Sequence, residues 1–300
     1  MNRLVIVVGP TAGGKTAVAV ALAKKFNGEL VSADSRQVYR GMDIGTGKDT
    51  ESLHGIAMWM YDVVNPDEQF SVSQYQTKAQ THIEDIRKRN KLPIVVGGTG
   101  LYIQSLVESI PTGHVKPNEA LRKKLRHYSL EKLQMLLQKE FSGVWETLNF
   151  SDRQNPHRLI RKIELGRSGV TAIAKPSFHE SDICWIGLTA PFSSLYQRID
   201  KRVEKRVEQG AVDEVHSLNT KGYGWELASM SALGYREWKE YFDGNATKKD
   251  VIQKWKYDEH GYARRQMTWF KRNKDIRWFD STRKGFLEKI ESVVGAWYTT

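Results

Sequence analysis

Cysteine is nearly missing from this chain. Cys184 stands alone among 300 residues, so no internal disulfide can form. It lies in the apolar run Ile183 to Leu188, where a catalytic thiol is possible but a small hydrophobe buried in a strand fits the surroundings better. Long apolar runs are missing too. None approaches the roughly 20 residues that a membrane span needs, and Arg3 is followed directly by a short strand pattern, so neither a membrane anchor nor a signal peptide is expected and the protein is expected to be cytoplasmic. No internal repeat, low-complexity tract or flexible linker stands out. Acidic residues are in deficit: 35 against 46 Lys and Arg, a formal net charge of +11. That excess grows along the chain and suits a polyanionic partner such as nucleic acid. A basic surface that serves only solubility would look the same by charge alone.

What is present is a soluble globular composition, 40% hydrophobic and 27% charged, in a length that allows one large domain or two modest ones. The first hundred residues alternate between strand and helix patterns. Leu4 to Val8, Glu29 to Ala33 and Leu92 to Val96 read as strands; Lys15 to Phe26 and Gln74 to Asn90 read as helices. This predicts an α/β fold with a parallel sheet covered on both faces by helices, to which Ile183 to Leu188 adds a strand from the second half. Residues 116–165 show helical patterns, Glu119 to Tyr128 and Leu130 to Glu140 among them, and no strand. They are expected to form an inserted helical domain within a core of residues 1–115 and 166–300. After Ser193 the chain is again helical, clearest at Arg198 to Val207 and Lys248 to Trp269.

The chemistry starts at Gly9-Pro10-Thr11-Ala12-Gly13-Gly14-Lys15-Thr16, a complete G-x-x-x-x-G-K-T phosphate loop between a strand and a helix. Such a turn aims backbone N–H groups and a helix N-terminus at one anion. Lys15 would neutralise outer phosphates, and the Thr16 hydroxyl would help hold a Mg²⁺ ion that keeps most of its waters. The loop therefore predicts a phosphate-loop NTPase-like core. Asp34 emerges at the carboxyl edge of the second strand, beside that loop in any doubly wound topology. It could take a proton from a nucleophile, hold a metal through water, or only cap the next turn. Two further glycine-rich segments, Gly41 to Lys48 and Gly97 to Tyr102, reach the same rim, which suggests backbone approaching a charged ligand. The strand Leu92 to Val96 runs into glycines where a typical ATPase carries an acidic metal ligand, which weakens an ATP hydrolase.

Taken together, Gly-Pro-Thr-x-x-Gly-Lys-Thr, Asp34-Ser35-x-Gln37-Val38-Tyr39, Met42-Asp43-Ile44-Gly45-Thr46-x-Lys48 and Gly97-Gly98-Thr99-Gly100-Leu101-Tyr102 closely resemble the tRNA dimethylallyltransferases, or tRNA isopentenyltransferases. The resemblance continues through Arg158-Leu159-Ile160-Arg161, Arg198-Ile199-x-x-Arg202, Gly210, Leu233-Gly234-Tyr235-Arg236 and Arg264-Arg265-Gln266-Met267-Thr268-Trp269, and so covers essentially the whole chain.

The resemblance implies transfer of a dimethylallyl group from dimethylallyl diphosphate to the exocyclic amine of the adenosine 3′ of the anticodon in tRNA, by a monomer using Mg²⁺. It implies that Gly9 to Thr16 holds the donor's diphosphate, that Asp34 is the general base, that Thr99 orients the reacting centre and that Arg202 clamps the departing pyrophosphate. Asp34, Ser35, Arg36 and Gln37 would line the pocket for the target base. Arg122, His157, Arg158, Leu159, Ile160, Arg161, Gly234, Tyr235 and Arg236 match positions that touch tRNA. The segment Arg264 to Arg272 interleaves bases with aromatics, suited to RNA contact, although a helix packing Met267, Trp269 and Phe270 on the core explains it as well. The chain departs from the family at Gly47, usually alanine, at Asp152 to Pro156, which lack an Asn-Asp pair, and at Ser231, where some members place a basic or polar residue that contacts tRNA. Its inserted domain is somewhat short. Two other functions are to be weighed: a phosphate-loop small-molecule kinase, with ATP in the loop and Asp34 serving a hydroxyl, and a nucleotide-sensing RNA-binding protein.

Overall fold

Leu4–Val8 (β1) is buried at every position, a pattern that only a central strand covered on both faces allows. The computed structural model, which describes residues 2–108, 115, 118–169 and 178–299, shows why. Leu4, Ile6 and Val8 point into one hydrophobic cluster and Val5 and Val7 into another, the period of two that a pleated strand imposes.

β1 pairs in parallel with Leu92–Gly97 (β4) on one side and Ile183–Thr189 (β5) on the other. Gly28–Ala33 (β2) and Met58–Trp59 (β3) extend the sheet beyond β4, and Arg277–Asp280 (β6) extends it beyond β5. All pairings are parallel, in the order β3-β2-β4-β1-β5-β6. Lys15–Lys25 (α1) and the C-terminal helix Phe286–Thr299 cover one face: Val18, Leu22, Ile290 and Val294 meet Val5 and Val7 there. The opposite face takes Val72–Lys88 (α2), Gly100–Val107 (α3), Phe192–Glu208 and Lys248–Phe270, through Ile83, Ile103, Ile199 and Trp255. Helices on both faces of a parallel sheet are what the sequence pattern predicted. Cys184 is buried in β5, and burial pushes its thiol up to about 11, the state of an inert packing residue.

The chain divides into two compact units, residues 1–107 with 176–300 and residues 108–175. The second extends beyond the expected 116–165 on both sides. It is helical throughout its described elements: Glu119–Leu125 (α4), Leu130–Glu140 (α5), Ser142–Glu146 (α6), Phe150–Arg153 (α7) and Pro156–Ser168 (α8). Asn118, Ser129, Asn149 and Asn155 each accept from a first-turn amide and so start α4, α5, α7 and α8. Leu125, Leu133, Leu137, Leu159, Ile160 and Ile163 form its core. In the larger unit the remaining helices are Phe192–Glu208 (α9), Ala211–Thr220 (α10), Lys239–Phe242 (α11), Lys248–Phe270 (α12) and Phe286–Thr299 (α13). Among the described residues no helix is long and apolar enough to cross a membrane.

Candidate active site

The phosphate loop is built to leave amides open. β1 ends at Val8, and Gly9 takes φ +142 where a Cβ would lie 2.5 Å from the Leu188 carbonyl oxygen. Gly14, at φ +88, is the residue that caps α1, and among the described residues no side chain caps the helix start. α2 and α12 are different: Ser71 with Gln74 and Thr247 with Asp250 close both ends of a capping box. The N-terminus of α1 is therefore available to an anion, with the positive end of the helix dipole behind it. Lys15 Nζ donates to the Pro10 carbonyl at 2.8 Å. Burial, with Arg202 nearby, lowers the Lys15 ammonium to about 8. A cation held this way gains strongly from an incoming anion.

A cavity of about 340 Å³ opens here, lined among others by Thr11, Lys15, Thr16, Asp34, Arg202 and Tyr262. The sheet order explains the meeting. β2 is separated from β1 only by β4, so Asp34 leaves the carboxyl edge next to the loop. Asp34 Oδ1 accepts from the Arg36 amide at 2.8 Å, which turns the carboxylate into the cavity mouth. Arg202, on α9, donates to the Thr11 hydroxyl and lies 3.5 Å from Glu259 of α12. Glu259 is buried and also faces the buried Arg206 at 3.4 Å, a negative centre that fixes two guanidinium groups at the rim. The Tyr262 hydroxyl is raised beyond the usual phenol range, first by burial and then by Asp34 and Glu259. It stays protonated.

Thr99 is placed one step back from the cavity. Its hydroxyl accepts from the Ser35 amide at 3.0 Å and its own amide donates to the Ala33 carbonyl, so it holds the turn that carries Asp34. Gln37 is tied to Ser32 and, through Nε2, to the carbonyls of Thr46 and Gly47. Arg36 donates to the Ala228 carbonyl at 2.7 Å and lines the cavity with Ser35 and Gln37.

The second glycine-rich turn behaves unlike the first. Amides of Asp43, Ile44 and Gly45 all donate to the Glu214 carboxylate, at 2.8, 2.8 and 3.0 Å. The chain's own acid from α10 fills the anion cradle. Lys48 is saturated as well: its Nζ donates to the Tyr39 carbonyl and to Asp43 and Asp62, at 2.6 to 2.7 Å. Gly45, Thr46 and Gly47 still line the cavity, but their turn does not offer its amides to a ligand, contrary to the expectation for three equivalent loops. Tyr235 explains itself in the same way, buried with its hydroxyl donating to Glu214. Gly234, at φ +86, packs against Trp255 and Gly45, whereas Arg236 is half exposed and reaches both the cavity and Asp258. In the third turn the glycines make room: a Cβ at Gly97 would strike Ala33, one at Gly98 the Gln266 amide, and one at Gly100 the Trp269 indole.

Arg264 to Arg272 divides between the two readings. Met267 and Phe270 are core residues, Trp269 is 36% exposed, and Arg265 lines the cavity.

Within the helical unit, His157 and Arg158 are exposed, with Arg158 paired to Asp152. Leu159 and Ile160 are corrected by the structure: their side chains lie in the unit's core and have no outward face to give RNA. Arg122 and Arg161 are both engaged with the buried Glu164, which also accepts from the Asn118 amide. Their first structural task is to neutralise that acid.

Residues 37–273 match the family model described as IPP transferase. The chain belongs to the IPP transferase family. Among its relatives, proteins named tRNA dimethylallyltransferase from Roseiflexus sp. (strain RS-1) and Macrococcus caseolyticus are 40% and 41% identical, covering 99% and 98% of this chain and 99% and 95% of their own. The solved tRNA isopentenylpyrophosphate transferase from Bacillus halodurans superposes with a TM-score of 0.75 at 34% identity, over 99% of this chain and 97% of that one. A eukaryotic dimethylallyltransferase acting on tRNA shares the fold, with a TM-score of 0.80 at 24% identity over 97% and 77%.

The IPP transferase site contains hard oxygen donors suited to a small divalent cation, the Thr16 hydroxyl and the Asp34 carboxylate, on the wall of one cavity. Among the described residues no group of three or more His, Cys, Asp or Glu forms a metal cage. That fits an ion held mainly by substrate phosphates and water. Four residues at the site escaped the sequence reading of roles: Glu214, Glu259, Tyr262 and Gln266. Three of them had a local signal. Glu259, Tyr262 and Gln266 are spaced i, i+3, i+7, a polar stripe on one face of the helix read over Lys248 to Trp269, in which only Arg264 onward was weighed for a role.

Proposed function

We propose that the protein transfers the dimethylallyl group of dimethylallyl diphosphate to the exocyclic N6 amine of the adenosine 3′-adjacent to the anticodon of tRNA, releasing diphosphate. The observation that carries this reading is the combination of an open phosphate loop, the Asp34 carboxylate and the clamping Arg202 around a single cavity. The names of the relatives support tRNA and a dimethylallyl group as the parts that are joined.

The diphosphate docks on the open amides of α1 and on Lys15, whose proton is retained once the anion is beside it. Arg202 faces the same loop and takes the charge that grows on the leaving oxygen as the allylic C1–O bond breaks. The electron pair of that bond leaves with diphosphate. The adenine nitrogen forms the new bond to C1 and its proton passes to the Asp34 carboxylate, which its bond to the Arg36 amide keeps aimed at the cavity. Thr16 would help hold Mg²⁺, which would add positive charge to the diphosphate site. Tyr262 stays protonated at the wall, its hydroxyl donating to the Gly98 carbonyl at 3.5 Å. The target base has to leave its stack, at a cost of a few kcal/mol, to enter an enclosed site of this kind. Arg36, Arg236 and Arg265 provide basic groups at the cavity for tRNA, and the exposed His157 and Arg158 provide basic groups on the helical unit. The reading is of a cytoplasmic enzyme acting as a monomer.

The test is incubation with unmodified tRNA, Mg²⁺ and either labelled dimethylallyl diphosphate or labelled ATP. Prenyl label is expected in tRNA. Phosphate label entering an acceptor, with no prenyl label in tRNA, would instead establish the kinase alternative.

A further inference from the structure

Gln266, on α12, is buried, and its carboxamide is used at both ends. Its Oε1 accepts from the Thr11 amide at 2.7 Å and its Nε2 donates to the Gly98 carbonyl at 3.1 Å. The partners leave no freedom in the orientation of the amide, because a flip would set N–H against N–H and oxygen against oxygen. Thr11 belongs to the phosphate loop. Gly98 belongs to the turn in which Thr99 holds Ser35, and with it the position of Asp34. No other described side chain is recorded as bonding to both segments. Thr11 is gripped from two sides, its amide by Gln266 and its hydroxyl by Arg202. Gly98 is a glycine for the same reason, since a Cβ there would occupy the space of Gln266 Nε2.

We propose that Gln266 is a positioning residue that sets the separation between the diphosphate cradle and the Asp34–Thr99 turn. It touches neither reacting atom. It bonds to an amide of the loop next to the open ones and leaves those of the α1 N-terminus available. The leaving group and the base sit on two different loops, and in-line displacement requires both to be correctly spaced. An error of about 1 Å in such spacing is enough to cost about 10²-fold in rate. A brace between the loops therefore acts on turnover more than on binding of either substrate. α12 delivers two such constraints from one face, because Glu259, two turns earlier, holds Arg202.

This inference rests on the proposed reaction, so wild-type transfer is measured first; its absence would count against that reaction and not against the brace. With transfer established, Gln266→Met keeps length and volume but neither hydrogen bond. It is expected to lower kcat by about 10²-fold, with KM for tRNA and for the prenyl diphosphate each within about three-fold of wild type. A purely structural residue would lower the melting temperature and leave kcat of the folded enzyme unchanged, and that result would overturn the proposal. A second measurement needs no variant. In the wild-type protein without donor, the Thr11 amide is expected to be protected from hydrogen exchange, as a buried bonded amide is. Exchange at the rate of an open loop amide would equally overturn it.

Discussion

Two glycine-rich turns, each carrying a lysine near its end, stand at the same rim of the sheet and do opposite things. Gly9–Thr16 leaves its helix N-terminus without a side-chain cap and lets Lys15 donate to a loop carbonyl and, among the described residues, to no carboxylate. Gly41–Lys48 donates three amides to Glu214 and surrounds Lys48 with two carboxylates and a carbonyl. Composition does not tell them apart. The difference is whether another part of the chain supplies the anion: where it does, the turn is a structural joint; where it does not, the turn is a site.

The same substitution in the two turns tests this most strongly. Lys15→Ala is expected to cost about 10³-fold in kcat/KM for the prenyl donor, as loss of a preorganised cation at a leaving group does. It should leave thermal stability unchanged or slightly higher, because a desolvated charge is removed. Lys48→Ala should do the reverse, losing about 1–3 kcal/mol of stability with a far smaller kinetic effect measured per folded molecule. Steady-state kinetics and thermal melts on both variants decide, and equal kinetic losses would end the distinction.

Next in size is the internal anion. Glu214→Ala leaves three amides and the Tyr235 hydroxyl without their acceptor and is expected to destabilise by about 2–4 kcal/mol. Inorganic phosphate or diphosphate entering the emptied cradle would restore part of that loss. A melt of Glu214→Ala that matches wild type would show that the carboxylate is dispensable there.

Diphosphate itself should stabilise the wild type by about 2.7 kcal/mol when present at about one hundred times its dissociation constant. Lys15→Ala should show little of that shift at the same concentration, and Lys48→Ala should keep it. Differential scanning calorimetry with and without diphosphate measures all three proteins. A full shift in Lys15→Ala would place the anion elsewhere.

Much of this contrast is not readable along the sequence, for a physical reason. Strands buried on both faces announce themselves as apolar runs, so β1, β4 and β5 were legible, and β2 was legible from its shorter apolar centre at Leu30 and Val31. β3 is two residues long, and β6 is an edge strand with no buried residue, so neither has a run to read. The phosphate loop was legible because its chemistry is local, and Asp34 because it follows a strand that the sheet order brings alongside. Glu214 acts on residues some 170 positions earlier and Gln266 on Thr11 some 255 positions earlier. No spacing rule reaches that far. For Leu159 and Ile160 the periodicity was informative, since they share a helix face with Ile163, and the family match at Arg158 to Arg161 drew attention away from it.

The smallest effect is the pH response of the open turn. Lys15 is lowered to about 8 by burial and by Arg202, from an ordinary value of 10.5. In the free enzyme it is protonated below about 8 and neutral above it. Diphosphate binding needs the proton, so the affinity measured by calorimetry should weaken as pH rises above about 8, by at most about ten-fold per unit. The sign for stability is opposite. The folded protein releases this proton more readily than the unfolded chain, so the charged lysine costs stability below about 8. That cost is relieved as pH rises from about 8 to 10.5. Bound diphosphate should cancel the stability trend by holding the proton in place. If Lys15→Ala retained the wild-type loss of diphosphate affinity above pH 8, the titrating group would lie outside the loop.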